Sequence, residues 1–155
     1  MDNLSQNALR RARRTAGITQ EKAAEMSGYS VDAIQAWEAG TRRCAVEALD
    51  TLAVCYDAPW LAGMYLRELS RGSVQASMPE FEPGKPLPQA VLNLLDKVTA
   101  FGRSHADQRL VSLAADGRID VNERQEYDAI MEDLQDICRA AMELKFCKSE
   151  DDEQC

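Results

Sequence analysis

The stretch SGYSVDAIQAWEAGTRR, Ser27 to Arg43, concentrates side chains suited to a base edge or a phosphate. Gln35 can pair with adenine N6 and N7, Asp32 can accept from cytosine N4, and Val31 can meet a thymine methyl group. Arg42 and Arg43 follow directly, where guanidinium groups suit phosphate contact. Each residue also has a plainer use. An acid at the second position of a helix is favoured by the helix dipole alone, and Gln35 serves equally as a solvated helix position. No Lys or Arg lies between Ser27 and Gly40, so affinity for a polyanion has to come from the flanks.

Other chemistries find little support. The five cysteines, Cys44, Cys55, Cys138, Cys147 and Cys155, form no CxxC pair, and His105 is the only histidine. Four clustered ligands for zinc are missing, and the odd, widely spaced thiols suit a reducing compartment. His105 has no nucleophilic set around it in sequence. The stretch DGRIDVNE (116–123) lacks the alternating acids of a calcium loop. No glycine-rich phosphate cradle or catalytic carboxylate pair stands out. The expectation is a protein that is not an enzyme and uses no cofactor and no metal.

The residues around the reading stretch supply a helix-turn-helix. Thr19 can cap one helix, and Ala23 and Ala24 are small enough for a second helix to cross closely. Gly28 permits the turn, and Ser30 can cap the second helix. Tyr29 and Ile34 occupy the positions of a hydrophobic staple. Ile34 and Trp37 should face inward, leaving Val31, Asp32, Gln35 and Ala36 outward.

The run LRRARRTAGITQEKAAEMSGYSVDAIQAWEAGTRRCAVEALDTLAVCYDAP resembles the XRE family of helix-turn-helix regulators, the Cro/cI-repressor type. The resemblance covers about the first 65 residues and rests on Arg13, Gly17, TQ at 19–20, Gly28, WEAGTRR and LDTLAVCYDA. It implies a five-helix, lambda-repressor-like DNA-binding domain with a structural ion pair between Arg13 and Glu38. It also implies base reading by Val31, Asp32, Gln35 and Ala36. Backbone contacts are then expected from Thr19, Gln20, Ser30, Thr41, Arg42 and Arg43, with Arg14 of the first helix added. The Ala23-Ala24 pair departs from the usual Leu-Ala. The second half is similar to acidic helical tails of such regulators from Firmicute prophages and mobile elements, which implies no defined activity.

Charge divides the chain. The net charge is −8, yet residues 1–72 hold nine basic and nine acidic side chains, and residues 73–155 hold nine basic and 17 acidic. Screening over roughly 10 Å lets a neutral half meet DNA beside an acidic one. Four of the five prolines fall between 79 and 88. The expected organisation is a helix-turn-helix domain at 1–71, a Pro-rich linker at 72–88, an acidic helical hairpin at 89–148 and an acidic tail at 149–155. The fold class is all-α.

Helices are expected near 3–15, 20–26, 31–38, 46–55 and 59–69, with Pro59 in a first turn. In the second half one helix is expected near 88–115, with Val91, Leu94, Leu95, Val98 and Phe101 on one face and Gly102 bending or breaking it. A second begins at DVNE, where Asp120 and Glu123 can form a capping box. Tyr127, Ile130, Leu134, Ile137, Ala141 and Leu144 follow at a/d spacing. This seam either packs within its own hairpin or pairs two hairpins into a four-helix dimer. The dimer is preferred because a lone hairpin buries little.

The basic N-terminus lacks a following apolar run, and no stretch reaches the length of a membrane span. The expectation is a cytoplasmic, homodimeric repressor on a near-palindromic double-stranded DNA operator, with no membrane partner. The alternative is a non-DNA interaction module on the same fold, antitoxin-like or an adaptor subunit.

Overall fold

The computed structural model describes residues 7–70 and 78–148. Its named elements are all helices, and the chain divides into units Met1–Met78 and Pro79–Cys155. No helix among the described residues is long and apolar enough to cross a membrane.

Among the described residues, five helices build the first unit: α1 (Ala8–Thr15), α2 (Gln20–Ser27), α3 (Val31–Glu38), α4 (Val46–Cys55) and α5 (Leu61–Leu69). Their starts and stops follow local chemistry. Asn7 accepts from the Arg10 N–H at 3.0 Å, so α1 begins at Ala8; positions 3–6 of the expected helix lie outside the described residues. Pro59 sits in the turn before α5 rather than inside its first turn, and Leu61 N–H donates to Ala58 O at 2.9 Å. The core gathers one stripe from each helix, with Leu9, Ile34, Leu49, Leu52 and Leu61 fully buried. Burial raises the Cys44 thiol to about 11, leaving it protonated and unreactive at neutral pH.

The second unit contains α6 (Leu87–Arg103), α7 (Ala106–Leu113) and α8 (Arg124–Lys145). The single helix expected over 88–115 is therefore two helices. His105, not Gly102, adopts the left-handed conformation at the break, with φ of 54°. The break folds Ala106, Leu110 and Leu113 back against Phe101, Tyr127, Ile130 and Leu134. The capping box forms: Asp120 Oδ1 accepts from Glu123 N–H at 3.0 Å, and Glu123 Oε2 accepts from Asp120 N–H at 3.1 Å.

Two further expectations are corrected in this unit. From Pro79 on, the proline-rich stretch is not a linker. Phe81 is buried and stacks on Phe146, with ring centroids 5.5 Å apart. Gly84 N–H donates to Phe146 O at 2.7 Å, and Lys148 N–H to Lys85 O at 2.9 Å. An apolar ring anchors this stretch despite its prolines. The remaining linker positions up to 77, and the tail at 149–155, lie outside the described residues.

The seam on α8 is the second. Tyr127, Ile130 and Leu134 pack in their own unit, Ile137 and Leu144 are half-buried, and Ala141 is exposed while Ala140 is buried. The neighbours set the buried face in turn: the cluster around Ala106 and Leu113 takes Tyr127, Ile130 and Leu134, while Asn93 and Lys85 meet Glu143 further along, which leaves Ala140 rather than Ala141 inside. Three polar links add to this packing: Lys97 to Asp136 at 3.0 Å, Asn93 to Glu143 at 2.9 Å and Lys85 to Glu143 at 2.8 Å.

Candidate DNA-reading face

The geometry of the reading helix begins with its caps. Thr19 Oγ1 accepts from Lys22 N–H at 3.2 Å and starts α2. Gly28, at φ of 75°, ends α2 in the left-handed conformation that glycine adopts without a Cβ penalty. Ser30 Oγ then accepts from Ala33 N–H at 3.2 Å and starts α3. Both hydroxyls accept these bonds, so each keeps its own proton for a phosphate oxygen. Ser30→Ala should cost about 1 kcal/mol of stability, read as a lower urea midpoint with unchanged slope. A midpoint unchanged within error would remove the capping role.

Along α3 the inward side chains are Ala33, Ile34, Trp37 and Glu38. Asp32 and Gln35 are exposed, and Val31 and Ala36 are half-buried. The expected reading positions thus share one accessible face, with the two polar side chains the most open. The Tyr29 ring meets Trp37 edge-on, with centroids 5.1 Å apart.

The end of α3 is closed by a Schellman arrangement. Gly40 N–H donates to Trp37 O at 3.2 Å and Thr41 N–H to Ala36 O at 3.0 Å, with Gly40 at φ of 72°. Thr41 Oγ1 also donates to Ala36 O, at 3.1 Å. Its hydroxyl proton therefore serves the helix end rather than a phosphate. Arg42 and Arg43 emerge exposed from this turn. The Arg42 guanidinium lies 5.4 Å from the Trp37 ring centre, a cation–π contact that limits its search through rotamers.

Beneath the face lies a buried carboxylate. Glu38 has a side chain 1% exposed, and Arg13 grips it with two bonds, Nε to Oε1 at 2.6 Å and Nη2 to Oε2 at 2.8 Å. Arg13 Nη1 donates to Ile18 O at 2.7 Å, tying the same guanidinium to the turn before α2. Gln20 Nε2 donates to Glu38 Oε2 at 2.9 Å. One amide proton of Gln20 is thus committed inside the domain, where the resemblance had it on a phosphate. Burial pushes the Glu38 carboxyl up, but the bonds from Arg13 and Gln20 outweigh it and hold the carboxyl below its ordinary value.

The arginines of α1 separate by role. Arg14 is exposed, and Arg10 approaches Glu38 at 3.7 Å. Arg11 turns inward over Trp60, 5.1 Å from the ring centre, and its Nε and Nη2 meet no acceptor among the described residues. Sequence reasoning missed this inward turn and missed Trp37 as a junction. Trp37 receives the Tyr29 edge and the Arg42 cation, and its carbonyl accepts from the Asn7 side-chain amide. A tryptophan five residues before an arginine, across a glycine turn, was the available signal.

Residues 7–60 match the family model described as a helix-turn-helix domain. The first unit carries a helix-turn-helix domain. The match spans α1 to α4 and ends at Trp60, just before α5. Comparison with curated proteins and with solved structures gave no match.

Proposed function

We propose that the chain is a sequence-specific DNA-binding transcriptional regulator of XRE type, a dimeric repressor acting on a near-palindromic operator. One observation carries the reading. Asp32 and Gln35 stand exposed on a capped helix, with Arg42 and Arg43 exposed at its far end. Base-edge donors and acceptors flanked by backbone cations are what direct readout needs. The acidic second half carries no part of the DNA contact in this reading, and it serves self-association. Half-sites then lie about one helical turn apart, roughly 34 Å.

The test is selection of binding sites from random duplexes, followed by gel shift with the chain's own upstream DNA. A preferred, near-palindromic sequence is expected. Absence of binding to any duplex at low salt would reject the proposal in favour of a protein-interaction module. Within the same experiment, Gln35→Ala should relax preference at one or two base positions, losing about 1–3 kcal/mol of discrimination there. An unchanged selected sequence would take Gln35 out of the readout.

A further inference from the structure

We infer that the outer face of α6 is the docking surface for a second copy of this chain, an inference that rests on the dimeric reading proposed above. Leu92 is 67% exposed, Leu95 56% and Val98 48%. Positions 88, 92, 95, 99 and 102 recur at intervals of four and three, the spacing of a helix-pairing seam. Pro88, Thr99 and Gly102 on this line are exposed, and a Cβ built at Gly102 would meet nothing within 4 Å. The stripe therefore has leucines in its first half and small residues in its second, which permit close approach. On α8, by contrast, Tyr127, Ile130 and Leu134 are already occupied within their own unit.

Charge selects the occupant. The α8 helix carries six acidic and three basic side chains, so two copies approaching through it repel. The α6 helix carries one acid, Asp96, against Lys97 and Arg103, and Lys97 is paired with Asp136. The leucine stripe is thus a near-neutral route of approach to a second copy of an acidic unit. A strongly basic partner would be drawn to α8 instead. Area sets the strength. A 17-residue helix is about 25 Å long and about 10 Å wide. Two facing stripes of that footprint bury about 500 Å² in all, well below a standard stable interface. The dimer is weak in free solution, and a DNA bearing both half-sites favours it by holding two copies close together.

The experiment is sedimentation equilibrium of the full chain up to several hundred micromolar, with gel shifts on single and paired half-sites. The parent is expected to form dimers. Leu92→Glu/Leu95→Glu is expected to stay monomeric over the same range, with unchanged helical circular dichroism because both side chains are exposed. The double variant should still bind a single half-site and lose its preference for paired ones. A parent that remains monomeric throughout overturns the inference, as does a double variant that dimerises like the parent. Val54→Glu alters an 83% exposed valine on α4 of the other unit. Loss of the dimer in that variant, with the α6 variant intact, moves the interface and equally overturns the inference. Loss of single-site binding by the parent would strike the DNA-binding proposal itself, a separate failure.

Discussion

Glu38→Ala is expected to remove about 3–5 kcal/mol from the stability of the helix-turn-helix domain. The reason is what remains behind. Arg13, with a side chain 11% exposed, would keep its charge and lose two short bonds, and Gln20 would lose its acceptor. An unpaired, largely buried guanidinium costs far more than the pair contributes over an apolar replacement. A small domain has about 5–15 kcal/mol in total, so the variant would lie near its unfolding threshold. Both tryptophans, Trp37 and Trp60, belong to this unit, so urea unfolding read by their fluorescence reports on it. A loss below about 1 kcal/mol would show that the buried pair has little influence on stability.

The same carboxylate gives the domain an acid limit. Its folded value lies below the ordinary 4.5, because Arg13 and Gln20 favour the charged form. The unfolded chain therefore binds this proton more readily than the folded one. The stabilisation is fully present above about pH 4.5 and is lost as pH falls through the lower folded value. The parent domain should lose stability progressively in that window, and Glu38→Ala should lack that share of the pH dependence. Equal acid sensitivity in both would place the acid limit on other groups.

Arg42→Ala/Arg43→Ala is expected to weaken DNA binding on every sequence to a similar degree. Removing two phosphate contacts should flatten the dependence of log affinity on log salt by about 1.8. At moderate salt the loss should be about tenfold or more, while the base preference set at Asp32 and Gln35 is retained. Domain stability should change little, since both side chains are exposed and the helix end is closed by backbone bonds to Ala36 and Trp37. Arg42→Lys offers a finer comparison. It keeps the charge but gives up the planar guanidinium over Trp37, so it should retain most of the salt slope with reduced affinity. A double alanine variant with the parent's slope would remove both arginines from the phosphate contact.

The local features of the reading face were legible because their causes lie within a few residues. Helices expected at 20–26 and 31–38 are found at Gln20–Ser27 and Val31–Glu38. Thr19, Gly28 and Ser30 each act on a backbone group three or four positions away. The same holds for Asp120 and Glu123 ahead of α8. The Arg13–Glu38 pair was accessible only through resemblance, since nothing in spacing alone joins residues 25 positions apart.

Harder features depended on competition between partners. Gln20 could reach a phosphate or Glu38, and only the burial of Glu38 beside it decides for the carboxylate. Arg11 reads as a solvated residue on an arginine-rich helix until Trp60 arrives from the far end of the domain. Four prolines read as a linker until Phe81 finds Phe146. Val91, Leu94, Leu95, Val98 and Phe101 read as one apolar face, yet Leu95 and Val98 are exposed while Phe101 turns inward. Hydropathy ranks side chains, but the direction of a helix face is set by the neighbour it packs on.

The amino-acid sequence by itself determined the all-α class, the approximate places of α1 to α5, the caps of α2 and α3, and the outward set Val31, Asp32, Gln35 and Ala36. Those follow from helix period and from hydrogen bonds that close within one turn. Only the tertiary structure decided that Trp37 holds Arg42, that Glu38 claims Gln20, that His105 separates α6 from α7, and that α6 keeps Leu92 and Leu95 outside. Each depends on groups distant in sequence or on the direction in which a helix packs, and on which of several available contacts removes more apolar surface or leaves fewer charges unpaired.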